Sequence, residues 1–428
     1  MRVARLSMHN FRGFANTTVN FHPQLTVLVG TNGSGKSSLL SALYALTHAL
    51  YRRSLSGEIA PRGWPQGNQI LESDFFDTTN ELRIDGELAW LNGERVEASL
   101  TAQKRAGVVT EELDASTPQQ TEFLRALAES YDRGEAVPLT VLYGTQRTRR
   151  AIFGDAQLTV TPDSRPPPAL PVWMNAFRPE RSVTGFDFSR LSEWFRSRED
   201  LENQRRARVD AGYRDPVLEL VRRTLNGFFE SERVEFDREV EKLTFVRGGR
   251  VLTEAMLSEG ERALLALVGD LARRLSFAVK DAASFDTTRA LVLIDEIELH
   301  LHPSWQRAVL PRLIEVFPSC QFIVTTHSPQ VVSSVDASSV FVLHNGEVLP
   351  VASPTEGRDT NAILRSVFGV PERPLEVQNT VDDIAKLIDR GQLEEAKRAL
   401  HTLTSRLSED DDAVRRLRTR LDFAEVDL

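Results

Sequence analysis

The chain has 428 residues, enough for one large or two ordinary domains, and 41% of them are hydrophobic, which allows a sizeable core. Its 52 basic and 61 acidic side chains give a net charge of −9, which argues for a soluble protein and against a wholly basic nucleic-acid coat, while DNA contact through a local basic surface stays open. The single cysteine, Cys320, excludes an intrachain disulfide and an all-cysteine zinc site. No signal-peptide core follows Met1 and no run of 18 apolar residues appears, so the expectation is a cytoplasmic chain with no membrane partner.

Residues 1–30 read as two strands. Residues 3–8 alternate loosely, 10–14 make a turn, and the second strand runs into a glycine loop. Arg12, in the turn, stands either against a bound nucleotide or in solvent. Leu25-Thr-Val-Leu-Val29 is an apolar run of the buried-strand type. Gly30-Thr-Asn-Gly-Ser-Gly-Lys-Ser37 follows and matches G-x-x-x-x-G-K-S, with helix formers over 38–46 behind it. Strand, glycine loop and helix in that order are the context in which a phosphate-binding loop works. Asn32, Gly33, Ser34 and Gly35 offer close backbone approach to a phosphate, and the helix start at Lys36, Ser37 and Ser38 favours negative charge. Lys36 would reach the β- and γ-phosphates, and Ser37 would ligate Mg²⁺, so ATP and Mg²⁺ are the expected ligands. The alternative is a glycine-rich turn with a chance Gly-Lys-Ser; the flanking strand and helix argue against it.

Residues 81–90 alternate like a strand with a turn at Asp85-Gly86, 101–120 are polar and read as surface loop, and 121–131 look helical. Residues 138–143 form a short buried-type strand, and Gln146 beyond it is placed to reach a metal or a water. Five prolines mark a linker over 155–172. Residues 190–232 turn helical and charged, with Arg205, Arg206, Arg208, Arg222 and Arg223. The simplest reading is a helical arm with solvated faces; a DNA-contacting face is the other.

Residues 238–256 read as a hairpin turning at Arg247-Gly-Gly-Arg250. Leu257-Ser-Glu-Gly-Glu261 then opens a helix. Ser258 and Glu261 satisfy a capping box, but Gly260 costs about 1 kcal/mol against alanine in a helix and implies that another backbone or a phosphate comes close. Ala290-Leu-Val-Leu-Ile294 is a buried strand ending in Asp295-Glu296, the Walker B pattern, in which Asp295 holds Mg²⁺ and Glu296 polarises the attacking water. His300 and His302 form an H-x-H pair without an identifiable third ligand; a loop packed near the nucleotide is the alternative. The strand over 321–326 ends at His327, placed to hydrogen-bond a γ-phosphate or the water. A hairpin over 340–351 turns at Asn345-Gly346. Past Pro371 and Pro374, apolar positions at helical spacing make an αα-hairpin with a sticky face, then a solvated acidic loop at 408–412 and a last short helix.

Together these residues resemble the ABC-type ATPase heads of the SMC, RecF and OLD group, over 1–50 and 250–350. The resemblance implies an α/β P-loop NTPase fold with an ABC-type head, a helical arm insertion and a C-terminal helical hairpin. It implies Gln146 as a Q-loop residue that also meets Mg²⁺, Ser258, Gly260 and Glu261 as signature contacts to ATP, and Glu296 and His327 as catalytic. The tract 295–303 resembles the D-E-P-E-L-H-L-H-P of OLD-like and bacterial-defence ATPases, with Ile297 where that family usually has proline. Residues 355–361, 368–374 and the helical tail resemble PtuA, the ATPase subunit of Septu-type antiphage systems, a kind of subunit that also accompanies some retrons. In that family the partner is a separately encoded HNH nuclease, PtuB, and the ATPase forms oligomers.

The implied division is 1–150 as the N-terminal lobe of the head, 151–240 as linker and arm, 241–355 as the C-terminal lobe, and 356–428 as a helical oligomer- or partner-binding region. The tail lacks the strands of the Toprim domain that OLD nucleases carry, so nuclease activity is expected in a partner. The first reading is a defence ATPase that controls an HNH nuclease through ATP-dependent pairing of two heads in a homo-oligomer, with DNA met directly or through the partner. The alternatives are a RecF-like DNA repair ATPase and, more weakly, a transporter ATPase subunit, which would carry LSGGQ and would not follow Walker B with Glu298-Leu-His-Leu-His-Pro303.

Overall fold

A helix that begins at the glycine loop is the beam on which two sheets are laid. The computed structural model of the chain describes residues 1–54, 70–89, 95–115, 129–133, 136–137, 139–144, 188–279 and 282–426. Contacts divide it into two units, Met1–Arg358 and Asp359–Leu428.

In the first unit, β3 (Leu25–Val29) is buried at every position because it lies inside a sheet with a strand on either side. The order is β14-β13-β3-β12-β11-β7, with β7 at Leu139–Tyr143, β11 at Ala290–Ile294, β12 at Gln321–Thr325, β13 at Val340–His344 and β14 at Glu347–Pro350. All neighbours are parallel except the β13–β14 hairpin, which turns at Asn345-Gly346. Three strands, not two, occupy residues 1–30. β1 (Arg2–Phe11) and β2 (Phe14–Asn20) form an antiparallel hairpin, and β3 is separate. β2 is buried only at Phe14, Thr17 and Val19, a half-exposed pattern unlike that of β3.

The second sheet runs β2-β1-β4-β5-β6, with β4 at Glu81–Ala89, β5 at Arg95–Arg105 and β6 at Val108–Ala115. Two expectations fail here. Asp85-Gly86 is no turn: β4 runs straight through, and Gly86 is small because a Cβ there would lie 2.4 Å from Leu46 Cδ2. The part of 101–120 that the structure describes is no surface loop but the β5–β6 hairpin, turning at Ala106-Gly107. Its inward residues, Ala98, Leu100 and Ala102, are buried, and its polar residues are the outer face that made it read as loop.

α1 (Lys36–Ser54) lies between the sheets. Leu39, Leu40, Leu43 and Leu46 join one core with Leu82, Ile84 and Leu100 of the antiparallel sheet and Leu28, Leu291, Leu293 and Ile323 of the parallel sheet. Gln321 ties the two ends of the head together: its Oε1 accepts the Val3 N–H at 2.7 Å and its Nε2 donates to the Val3 carbonyl at 2.9 Å.

The helical expectation over 190–232 is met by α2 (Phe188–Arg208) and α3 (Pro216–Phe229), followed by the three-stranded sheet β8 (Arg233–Asp237), β9 (Lys242–Arg247) and β10 (Arg250–Thr253). The arginines are not simply solvated. Arg222 is nearly buried and clamps Glu199 at 2.7 Å and Glu202 at 3.1 Å, and Arg206 reaches Glu202 at 3.1 Å. These two acids are otherwise buried, so they need paired cations. Arg223 pairs with Asp286, and Arg205 lies over the Tyr213 ring. α4 (Glu259–Ala278) then leads toward β11, α5 (Pro303–Val316) joins β11 to β12, and the short α6 (Pro329–Val332) follows His327.

The second unit holds α7 (Thr360–Ser366), α8 (Leu375–Asp389), α9 (Leu393–Leu407) and α10 (Asp412–Val426). The αα-hairpin does not leave its apolar stripe uncovered. Val414, Leu417 and Leu421 of α10 close over Ile384, Ile388, Ala396, Leu400 and Leu403, making a three-helix core. The acidic run is not wholly solvated either: Asp411 caps α10 through the Ala413 N–H at 2.9 Å and receives both Arg373 nitrogens at 2.9 Å. The linker over 155–172, most of the helix expected over 121–131, and Gln146 lie outside the described residues.

Candidate functional site

The glycine loop crosses from β3 to α1 beside the carboxyl ends of β12 and β11, where side chains from several strands converge. Gly33 and Gly35 have φ of 80° and 101°, open to glycine and costly for other residues. A Cβ on Gly35 would also meet the Phe14 ring at 2.6 Å, so the hairpin β1–β2 braces the loop from below. Asn32 and Gly33 are exposed at the loop's crest, and Ser38 is half-buried in the first turn of α1. The Lys36 side chain folds under the loop and donates to the carbonyls of Gly30 and Thr31, each at 2.9 Å. Burial lowers its pKa, opposed by the nearby carboxylates of Asp295, Glu298 and Glu296.

Ser37 and Asp295 meet. The Ser37 hydroxyl lies 3.1 Å from Asp295 Oδ1, although the two are 258 residues apart in the chain. Asp295 is fixed from two further sides, by its N–H on the Tyr143 carbonyl at 2.8 Å and by the Thr325 hydroxyl at 2.6 Å. Glu296 sits at φ 49°, and its N–H donates to Thr325 Oγ1 at 2.8 Å. His327 begins the turn after β12, and its N–H donates to Glu298 Oε1 at 2.5 Å. Burial, then the Lys36 charge, lowers the pKa of its ring, which keeps the imidazole neutral at neutral pH.

Two observations show that the residues present suit Mg²⁺ and a phosphate chain. The pairing of a serine hydroxyl with a carboxylate is a hard oxygen donor set of the kind Mg²⁺ takes. The Ser34 Oγ is buried with no hydrogen-bond partner among the described residues, on the loop whose N–H groups would face a phosphate.

Ser258 and Glu261 form the expected capping box. Ser258 Oγ accepts the Glu261 N–H at 3.2 Å, and Glu261 Oε2 accepts the Ser258 N–H at 3.0 Å. Glu261 also faces Arg247 at 3.5 Å. Gly260 has a neighbour within its own chain: a Cβ there would meet the His300 carbonyl oxygen at 2.4 Å. The close approach inferred from the sequence is thus supplied by a backbone, that of the loop after Asp295-Glu296.

His300 and His302 each meet a protein partner. His302 caps α5, its Nδ1 accepting the Ser304 N–H at 3.3 Å, and His300 lies 3.8 Å from Glu259. No cluster of three or more His, Cys, Asp or Glu fit for a metal occurs among the described residues. Arg12 is not a solvated turn residue. Its Nε donates to buried Asp74 at 2.8 Å and its Nη1 to Ser41 at 3.2 Å, one turn of α1 beyond Ser37. β7 ends beside Asp295, and Gln146 follows it outside the described residues.

Thr325, Glu298 and Asp74 were not singled out from the sequence. The sequence shows Thr325 only as one of the two threonines that precede His327. Gln306 was also missed. It joins the loop after β11 to the turn after β12, donating to the Leu301 carbonyl at 2.8 Å and accepting the Ser328 hydroxyl at 2.6 Å.

Several known proteins are similar to this chain. The retron Ec83 probable ATPase of Escherichia coli is 25% identical over 99% of this chain and 87% of its own length. The Septu protein PtuA of Bacillus mycoides (strain KBAB4) is 28% identical over 40% of this chain and 24% of its own length. Among solved structures, the SMC head domain from Thermotoga maritima aligns at 16% identity and a TM-score of 0.43, covering 82% of this chain and 100% of that one. A family model described as "AAA domain, putative AbiEii toxin, Type IV TA system" matches residues 25–333, from β3 through the turn after His327. The chain belongs to that AAA-domain family and is an ATPase.

Proposed function

We propose that this ATPase binds ATP with Mg²⁺ at the glycine loop and acts in the cytoplasm as the nucleotide-controlled subunit of an antiphage defence complex. The contact between Ser37 and Asp295 carries the reading, because it joins the two halves of a phosphate-and-metal site. In it, Lys36 leaves the loop carbonyls for the β- and γ-phosphates, and the loop from Asn32 to Gly35 and the N–H groups of Ser37 and Ser38 receive the phosphate oxygens. Ser37 and Asp295 would hold Mg²⁺, with Gln146 as a further ligand, and the ion would neutralise charge on the phosphates. Glu296 accepts a proton from the attacking water, and neutral His327 donates a hydrogen bond to the γ-phosphate. Arg12 holds the floor of the site through Ser41.

Two heads pair, with Ser258, Gly260 and Glu261 of one facing the nucleotide of the other under two-fold symmetry. Residues 1–150 and 241–355 serve as lobes of the head, 151–240 as its arm, and 356–428 as the region that meets a partner. The partner is a separately encoded HNH nuclease, released or restrained by the state of the heads, and it brings the complex to DNA. The likeness to a retron ATPase over nearly all of the given sequence and the shorter one to PtuA support the defence setting.

The test is the mass of the chain with and without ATP. Glu296→Gln is expected to bind ATP, lose hydrolysis and accumulate as a head pair, and Ser258→Arg to bind ATP without pairing. No ATP-dependent gain in mass for Glu296→Gln, together with parental pairing by Ser258→Arg, removes the paired-head reading.

A further inference from the structure

β12 ends on a hydroxyl that serves β11. Thr325 has no exposed surface, and its neighbours in β12 are buried too. Its Oγ1 accepts the Glu296 N–H at 2.8 Å and stands 2.6 Å from Asp295 Oδ1. A threonine hydroxyl carries one hydrogen. With the Glu296 amide pointing into a lone pair, that hydrogen is directed at the Asp295 carboxylate. The same carboxylate oxygen accepts the Ser37 hydroxyl at 3.1 Å. The Thr325 carbonyl, for its part, accepts the Ile297 N–H at 3.1 Å. One residue of β12 therefore holds Asp295, Glu296 and Ile297 in succession.

The restraint is specific to the oxygen. A valine has nearly the shape of threonine, so packing alone does not call for a hydroxyl. Glu296 also lies at φ 49°, a region that a non-glycine residue keeps only where its surroundings hold it. The bond from its N–H to Thr325 is such a hold.

We infer that Thr325 is a positioning residue of the ATP site, whose hydroxyl orients the Asp295 carboxylate toward Mg²⁺ and fixes the left-handed turn from which Glu296 acts. The inference rests on the ATP-and-Mg²⁺ reading above. Asp295 would keep its place in the chain without this hydroxyl but would lose its direction, and groups that orient a metal ligand in this way commonly alter affinity or activity about 10–100-fold when removed.

The experiment compares Thr325→Val, which keeps the shape and removes the oxygen, with Thr325→Ser, which keeps the oxygen, both in the full chain. ATP affinity is measured by calorimetry in EDTA and across a Mg²⁺ titration, with initial hydrolysis rates alongside. Thr325→Val is expected to bind ATP in EDTA as the parent does and to need about 10–100-fold more Mg²⁺ for half of the Mg²⁺-dependent gain in affinity. Its kcat falls while KM for ATP at saturating Mg²⁺ stays near the parent's, and Thr325→Ser returns toward parental Mg²⁺ dependence. Thr325→Ala removes the same oxygen with less bulk and carries the same expectation where the valine variant does not fold. Parental Mg²⁺ dependence in the folded hydroxyl-free variant overturns the inference. A parent chain whose ATP affinity ignores Mg²⁺ overturns the underlying site reading, and the inference with it, before any variant is made.

Discussion

Gly260 and the carbonyl of His300 are so close that a Cβ on residue 260 would stand 2.4 Å from the oxygen. The contact joins the first turn of α4 to the loop that follows Asp295-Glu296, within one chain. Any shift at the start of α4 is therefore pressed onto the backbone of that loop, whose Glu298 receives the His327 N–H. The glycine is the condition of the contact, since the next larger residue does not fit.

Gly260→Ala separates this packing role from helix propensity by its sign. In an unhindered helix the change gains up to about 1 kcal/mol. Here overpacking against a backbone oxygen is expected to cost about 1–3 kcal/mol. Urea unfolding of parent and variant measures the difference. A stabilised variant would show that the loop yields freely.

Lys36→Ala removes a charge-assisted contact to phosphate, a type worth about 1.5–3 kcal/mol. ATP affinity by calorimetry is expected to fall about 10–150-fold. Unchanged affinity would take the phosphate out of the glycine loop. Because Lys36 also bonds the Gly30 and Thr31 carbonyls, Lys36→Arg is a useful second variant: it keeps the charge but not the compact head that fits beneath the loop.

The helical unit carries its own acid sensitivity. The Arg373 bond, together with the α10 cap, holds the Asp411 carboxyl below its ordinary pKa. A lowered carboxyl pKa adds stability that is full above the unfolded value, about 3.9, and is lost as pH falls through the folded value. Arg373→Ala is therefore expected to be less stable than the parent at pH 7, with the gap narrowing as pH drops below about 4. Denaturant titrations across that range test it, and a gap that widens on acidification contradicts the pairing.

Leu403→Ala probes the closure of the same unit. Leu403 is buried in the core that α10 completes, and truncating a buried leucine costs about 2–5 kcal/mol. Amide exchange over 375–426 is expected to quicken throughout, since the three helices share one core. Quickening confined to α9 would mean that α10 only rests on the hairpin.

Much of the fold was legible because its strongest signals are local. A run of apolar and β-branched residues into a glycine loop, or into two acids, identifies a buried parallel strand and the end at which chemistry can occur, and β3 and β11 follow that rule. The meeting of Ser37 with Asp295 was legible for the same reason, through the convergence of strand ends. What escaped depends on partners far along the chain. β5 and β6 read as loop because their outer face is polar and their inner face is largely alanine and leucine against α1. Arg222 read as solvated because its buried acids lie on another helix. The apolar stripe of α8 and α9 looked uncovered because α10, rich in arginine, did not look like a lid; Val414, Leu417 and Leu421 are its residues buried in the shared core. Thr325 shares a sequence pattern with any strand end, and only the third dimension sets its hydroxyl between two neighbouring carboxylate residues.

The strand order has a consequence for how the chain is made. β3 is flanked by β12 and β13, and β1 is bonded to Gln321 across 318 residues of sequence. On a ribosome that adds about 5–20 residues each second, β3 waits roughly 15–60 s for the two neighbours that bury it. Loop closure over such a span is slow and entropically costly. The wholly buried β3 is thus made long before the strands that cover it, while the β4–β5–β6 ladder, made from neighbouring segments, can form early and shelter one side of α1. The glycine loop is synthesised well before β11, β12 and β13, the strands that complete its site.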